Sequence, residues 1–393
     1  WIVDNEIITR LRDVLGGGGC VGIVCNTVSR SQELYQTLAA AFEPQGVHVA
    51  LFHARFPTRH RILIERQVLS TLGPRLDNPR RKQRSQRGCI LVATQVIEQS
   101  LDLDFDLLVS EVAPIDLVLQ RAGRLHRHPG RPRPEQLRTP QLWLMRPEVK
   151  GDGIPDFGVF QSGITNSGKY RPGVYDRHIL LRTWLALRDE LVDGNVLTLP
   201  DDLERLVEAV YSSTRPASGD DEWDEELART FDGLEQAIRT SESKAGAVRV
   251  PPPDADDLLE RSTPGLDEDN PDVHRDLQAV TREGDPSITL VLLYQQDDAV
   301  SLDAAGRDTI NLNASSPPSA QQTRLLLERS VSISNRFWVP HFVAQDVPIG
   351  WRKSGALCYS RSLPLNTSGV YAVGDHQLRF DARLGLQFER DKP

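Results

Sequence analysis

The first 146 residues alternate short apolar runs with segments of helical periodicity, and this alternation limits the possible folds more than any other feature of the chain. CVGIVCNT (20–27), VHVALFHA (47–54), GCILVATQ (88–95), DLLVSEV (106–112) and QLWLM (141–145) read as strands. Leu34, Leu38 and Phe42 recur on one helical face, RHRILIERQVL (59–69) is also helix-like, and Ser29 with Gln32 has the spacing of a capping box. Strands and helices in strict alternation imply a parallel sheet covered by helices.

At 393 residues the chain exceeds what one core usually organises, so further domains are expected. After a Gly-rich stretch (147–171), residues 175–192, 200–212 and 221–239 each carry helical apolar spacing. Residues 251–285 are acidic, contain Pro and have few large apolar side chains, which suits a linker. From Ile288 the pattern turns β-like: ITLVLLYQ, then SVSISNRFWV, then VYAVGDHQLRFD (370–381), a hairpin turned at Gly374 and Asp375. The expected fold is α/β. A parallel-sheet lobe (1–146) leads to a helical section with an acidic linker (147–285) and a small α+β, β-rich C-terminal domain (286–393).

A net charge of −9 argues against a protein coated in positive charge, so any nucleic-acid contact must be local. The cations gather in the first third, at Arg55 to Arg66, Arg75 to Arg87 and Arg121 to Arg133. GPRLDNPRRKQRSQRG (73–88) is too polar for a core and reads as a surface loop, either simply solvated or touching a backbone without reading sequence. Gly16 to Gly19 lacks the GK[ST] ending of a phosphate loop and reads as a turn. Cys20, Cys25, Cys89 and Cys358 lack metal-ligand spacing and are expected to be reduced thiols of a cytoplasmic protein; no metal site is expected. No run of about 18 apolar residues offers a membrane span. Trp1 and the residues after it look like neither an initiator nor a signal peptide, so a fragment or processed product is expected.

PIDLVLQRAGRLHRHP (114–129) opens with Pro114 and stops before Pro129, so it is expected to be mostly helical. On a helix, Gln120, Arg124 and Arg127 share one face, while Ile115, Leu117, Leu119 and Leu125 pack on the sheet. Such a face suits phosphoryl transfer, whose transition state gathers negative charge that a planar guanidinium stabilises. A solvated basic helix is the bland alternative.

QRAGRLHR (120–127) resembles motif VI of superfamily 2 helicases, in which the second and third arginines act on a nucleotide held mainly by another lobe. VATQVIEQSLDLDFD (92–106) resembles motif V, and VCNTVSRSQEL (24–34) resembles motif IV. The resemblance implies a RecA-like lobe, with Thr27, Ser29, Arg55, Thr94 and Gln95 toward nucleic acid and Asp102, Arg124 and Arg127 toward nucleotide. From the residues alone, Thr27, Ser29 and Thr94 serve equally well as helix caps, Asp102 as a turn residue, and His53 as a local hydrogen-bonding group. Asp104 and Asp106 suit strand ends. Trp338, Trp351 and Tyr359 suit a core better than a base-stacking platform.

HARF (53–56), TQVIEQSLDLDFD and RLHRH (124–128) together resemble the CRISPR-associated helicase-nuclease of type I systems. That family combines an HD nuclease with paired metals, two RecA-like lobes and a C-terminal domain. The resemblance implies ATP with Mg²⁺ bound mainly by the first lobe. It also implies 3′ to 5′ movement on single-stranded DNA and recruitment by a Cascade effector complex carrying guide RNA. No GxxxxGK[ST], DExH or HD pair occurs in this chain. It therefore reads as the second lobe and C-terminal domain, inactive unless joined to the N-terminal nuclease and first lobe. Two alternatives remain open: a Cascade-recruitment module without activity of its own, and part of another superfamily 2 RNA helicase or DNA translocase.

Overall fold

A computed structural model describes residues 2, 4–74, 87–98, 101–149, 153–164, 170–171, 173–190, 196–212, 220–247 and 286–390. Residues 75–86 of the expected basic loop (73–88) and the whole of the expected acidic linker (251–285) lie outside these residues. Chain contacts divide the protein into two compact units, residues 1–53 with 63–236 and residues 54–62 with 237–393.

The first unit is built on a parallel sheet. In chain order its elements are α1 (Ile7–Leu15), β1 (Cys20–Val24), α2 (Val28–Phe42), β2 (His48–Phe52), α3 (Thr58–Leu72, shared with the second unit), β3 (Cys89–Ala93), β4 (Leu107–Glu111), α4 (Ile115–Ala122) and β5 (Gln141–Met145). The strand order is β2-β3-β1-β4-β5, and every pairing is parallel. All five residues of β1 and of β3 are buried, as apolar runs covered on both faces must be. Gly22 allows the close packing on β1: a Cβ there would meet Leu108 Cδ1 at 2.7 Å and Phe105 Cε1 at 2.9 Å. The α2 helix opens at Thr27, whose side chain accepts from the Arg30 N–H at 3.3 Å. Ser29 is therefore inside the helix and not its cap, correcting the capping box expected there. A reciprocal capping box occurs instead at Ser319 and Gln322.

Short strands follow: β6 (Glu148–Val149), β7 (Pro155–Asp156), β8 (Gln161–Ile164), β9 (Tyr170–Arg171) and β10 (Tyr175–Asp176). After them come α5 (Arg177–Glu190), α6 (Leu203–Tyr211) and α7 (Asp221–Ala247). Leu187, Leu206 and Val210 of this helical section share one core with Ile115 and Val118 of α4. No described helix is long and apolar enough to cross a membrane.

The second unit centres on β11 (Ile288–Gln296), with β12 (Ala299–Ser301), β13 (Thr309–Ile310), α8 (Ala320–Glu328), β14 (Ser330–Ile333), α9 (Trp338–Val343) and β15 (Ser360–Leu365). The order is β13-β12-β11-β14, with β15 parallel to β11. A separate antiparallel sheet joins β16 (Val370–Val373), β17 (His376–Asp381) and β18 (Gly385–Arg390). Val373 pairs with His376 across the expected hairpin turn, where Gly374 takes a φ of 55°. The β-like run expected through Val339 stops at Ile333. Asn335 Oδ1 accepts the N–H groups of Phe337 and Trp338, and this side-chain turn starts α9. Trp338 and Trp351 are core residues.

Candidate functional site

The carboxyl ends of β1, β3 and β4 bring Asn26, Thr27, Gln95 and Glu111 together. Parallel strands all point one way, so the loops that follow them cluster on one edge of the sheet. Gln95 lies in a single 3₁₀ turn (Gln95–Ile97), and its Nε2 donates to the Asn26 carbonyl at 2.9 Å. That bond ties the turn to the loop before α2. Thr27 is half-buried and Ser29 exposed. Thr94 is buried, and its amide donates to the Phe52 carbonyl at 3.3 Å. His53 is likewise fully buried.

The expected long helix at 114–129 is half that length. α4 ends at Ala122, with Gly123 as its C-cap. Arg124 and Leu125 donate to Arg121 and Ala122, three residues back, and the chain then bridges Phe105. The Phe105 N–H donates to the Arg124 carbonyl at 3.0 Å, and the His126 N–H donates to the Phe105 carbonyl at 3.1 Å. Backbone groups that would have continued the helix are thus satisfied by a strand neighbour. His126 takes a φ of 49° at this corner. Gln120, Arg124 and Arg127 therefore do not line one helical face.

Another arrangement brings the two arginines together, against Glu98, Leu101 and Asp102. Arg124 donates to the carbonyls of Leu101 and Glu98, the latter at 2.6 Å. Arg127 Nε pairs with Asp102 Oδ1 at 2.8 Å, both side chains being 47 % exposed. His128 Nε2 lies 3.0 Å from the same oxygen. Hydrogen bonds from His128 and Arg127 hold the Asp102 carboxyl below its usual range, with the His128 bond the larger contribution. Burial lowers the Arg124 pKa, and the like charge of Arg127 lowers it further. Gln120 stays exposed in the last turn of α4.

Sequence reasoning missed the centre of the site, Arg121. Arg121 is 1 % exposed. Its Nε donates to Glu98 Oε1 at 2.7 Å, its Nη1 to Ser110 Oγ at 2.7 Å, and its Nη2 to Tyr175 Oη at 3.3 Å and Asn26 Oδ1 at 3.4 Å. A signal was present, since Ile115, Val118 and Arg121 fall on one stripe of α4 and an arginine among buried apolar residues needs a buried carboxylate. Arg55 belongs to the second unit, where its guanidinium lies 3.9 Å above the Phe388 ring and its carbonyl accepts from the Leu386 N–H. Burial lowers its pKa to about 10.

With the geometry established, comparison with known proteins identifies the family. Residues 17–130 match the family model described as CRISPR-associated nuclease/helicase Cas3, C-terminal, and residues 282–386 match that of the Cas3 C-terminal domain. The CRISPR-associated endonuclease/helicase Cas3 of Thermus thermophilus is 34 % identical over 98 % of this chain. The chain belongs to the Cas3 family, corresponding to its C-terminal portion. It spans 44 % of the Thermus Cas3 and 40 % of the Streptococcus thermophilus Cas3, to which it is 26 % identical. A crystal structure of a CRISPR-associated protein superposes over the whole chain with a TM-score of 0.82 at 38 % identity, using 40 % of that protein. The T. fusca Cas3 structure with AMPPNP superposes over 97 % of this chain and 40 % of that one, with a TM-score of 0.76 at 26 % identity. The mixed α/β architecture is thus that of Cas3 C-terminal portions.

Proposed function

We propose that this chain is the second motor lobe and C-terminal domain of an ATP-dependent, single-stranded DNA helicase that moves 3′ to 5′ and is coupled to DNA degradation in CRISPR interference. The observation that carries the reading is the convergence of Arg124 and Arg127 on Glu98, Leu101 and Asp102. Two adjacent guanidinia, one held by backbone carbonyls and one by a half-exposed carboxylate, suit a polyanion that can displace weaker partners. The names of the relatives, nuclease/helicase, agree with it, as does the AMPPNP of the T. fusca structure.

In this reading ATP and Mg²⁺ are held mainly by a first lobe. Arg124 and Arg127 approach the triphosphate as its γ-phosphoryl group passes to water, and they stabilise the charge that grows on the phosphoryl oxygens. Asp102 and Gln120 complete the nucleotide side. Thr27, Ser29 and Gln95 follow a DNA backbone through hydroxyl, amide and helix N-terminal donors, which carry no base information. The strand is supplied by a guide-RNA Cascade complex. The test is hydrolysis: the isolated 393-residue chain is expected to turn over no ATP with or without oligothymidine, and the enzyme that also contains the first lobe to do so with DNA stimulation. Robust DNA-stimulated turnover by the isolated chain would overturn the division of labour.

A further inference from the structure

Tyr175 opens β10, outside the five-stranded sheet, yet its hydroxyl sits among the loops that follow β1 and β3. It accepts from Gln95 Nε2 at 3.1 Å and from Arg121 Nη2 at 3.3 Å. Arg121 in turn grips the Glu98 carboxylate at 2.7 Å, and the Glu98 carbonyl accepts from Arg124 at 2.6 Å. An unbroken polar path therefore runs from Gln95 through Tyr175, Arg121 and Glu98 to Arg124. Burial raises the Tyr175 pKa, so the phenol stays neutral and keeps its place in the path at neutral pH.

The guanidinium contacts of Arg124 with Glu98, on this path, and with Leu101, beside it, both end on backbone carbonyls, which are weaker partners than phosphate. To reach a nucleotide the side chain must leave them, and any shift of Glu98 changes how readily it leaves. The geometry points to Tyr175 as a positioning residue that links engagement of nucleic acid at Gln95 to release of Arg124 from Glu98 and Leu101. This inference rests on the functional reading above. When a phosphate or sugar draws the Gln95 amide, the Tyr175 hydroxyl loses one of its two donors. Its contact with Arg121 then readjusts, and the Arg121–Glu98 pair carries the change to Arg124. Such coupling needs a contiguous set of contacts with two arrangements, biased from both ends.

Tyr175→Phe removes one oxygen and keeps the ring. In the enzyme that contains the first lobe, ATP turnover is measured with and without oligothymidine, together with oligothymidine affinity. The DNA-free rate, the KM for ATP and the DNA affinity are expected to stay at wild-type values, while DNA stimulation falls by about fivefold or more. Gln95→Ala is expected to reduce stimulation as well, and the double variant to be no worse than the worse single one, because both cut the same path. Undiminished stimulation in Tyr175→Phe, losses that multiply in the double variant, or an equal fall in the DNA-free and stimulated rates would each overturn the link. A wild-type enzyme whose turnover ignores DNA overturns the functional reading instead, so the two failures are distinguishable.

Discussion

Two pairs of arginines lie within ten residues of each other and are held in opposite ways. Arg131 and Arg133 are locked: Arg131 donates to Asp104 Oδ2 at 2.8 Å and to Cys20 Sγ at 2.9 Å, and Arg133 spans Asp104 and Asp106. Asp106 also accepts the Cys20 N–H at 2.6 Å, and none of these four charged side chains is more than 9 % exposed. Arg124 and Arg127, by contrast, rest on backbone carbonyls and one half-exposed carboxylate. The first pair neutralises buried carboxylates and cannot leave without stranding them. The second can exchange its partners, so the nature and burial of the counter-group distinguish a structural arginine from one able to meet a ligand.

The largest effect expected from this contrast is catalytic. Arg124→Ala in the enzyme that contains the first lobe should lower ATP turnover by about a thousandfold while DNA affinity and the unfolding midpoint stay near wild type. Turnover at the wild-type rate breaks the contrast on its functional side. The next effect is on stability. Asp104→Ala leaves two buried guanidinia short of a carboxylate and should cost about 3–5 kcal/mol in chemical denaturation. Acid should act in the same direction. Burial pushes the Asp104 carboxyl up, but hydrogen bonds and charge from Arg131 and Arg133 more than reverse this, so its folded pKa lies below the unfolded value. Its contribution is present above the ordinary aspartate pKa of about 4 and disappears as pH falls through the lower folded value. An Asp104→Ala variant as stable as wild type at neutral pH would show that the buried cluster holds nothing together.

How much of this was legible depends on where each constraint comes from. The five strands of the sheet were read to within a few residues because burial on both faces writes continuous apolar runs. The early end of α4 was only partly legible: Gly123, its C-cap, is a helix-stop signal, but the group that captures Arg124 and His126 is Phe105, nearly twenty residues earlier. The two arginine classes were blurred for a related reason. Counting cations from Arg121 to Arg133 gives one basic cluster, whereas in the structure Arg121 and Arg131 are buried and Arg133 is held by two buried carboxylates, while Arg127 is exposed and the half-buried Arg124 rests on carbonyls. The DFD string (104–106) with acids two apart and the RPR string (131–133) with bases two apart were the trace of the locked set. Tyr175 left no trace, since its role exists only once β10 is folded beside the Gln95 turn.

The smallest expected effect tests the exchangeable side most sharply. The Arg127–Asp102 pair has the same chemical types as Arg131–Asp104 and the same 2.8 Å separation. It differs in solvent access, because water and salt replace most of what either partner loses. Asp102→Ala should therefore change unfolding stability by no more than about 1 kcal/mol, with a still smaller difference at high salt. Compared on the same chain, Asp102→Ala and Asp104→Ala differ chiefly in burial and in the partners lost, one guanidinium and the His128 ring for Asp102 against two guanidinia for Asp104. A loss from Asp102→Ala as large as that from Asp104→Ala would mean that Arg127 is fixed as firmly as Arg131. It would then be unavailable to a phosphate for the same reason.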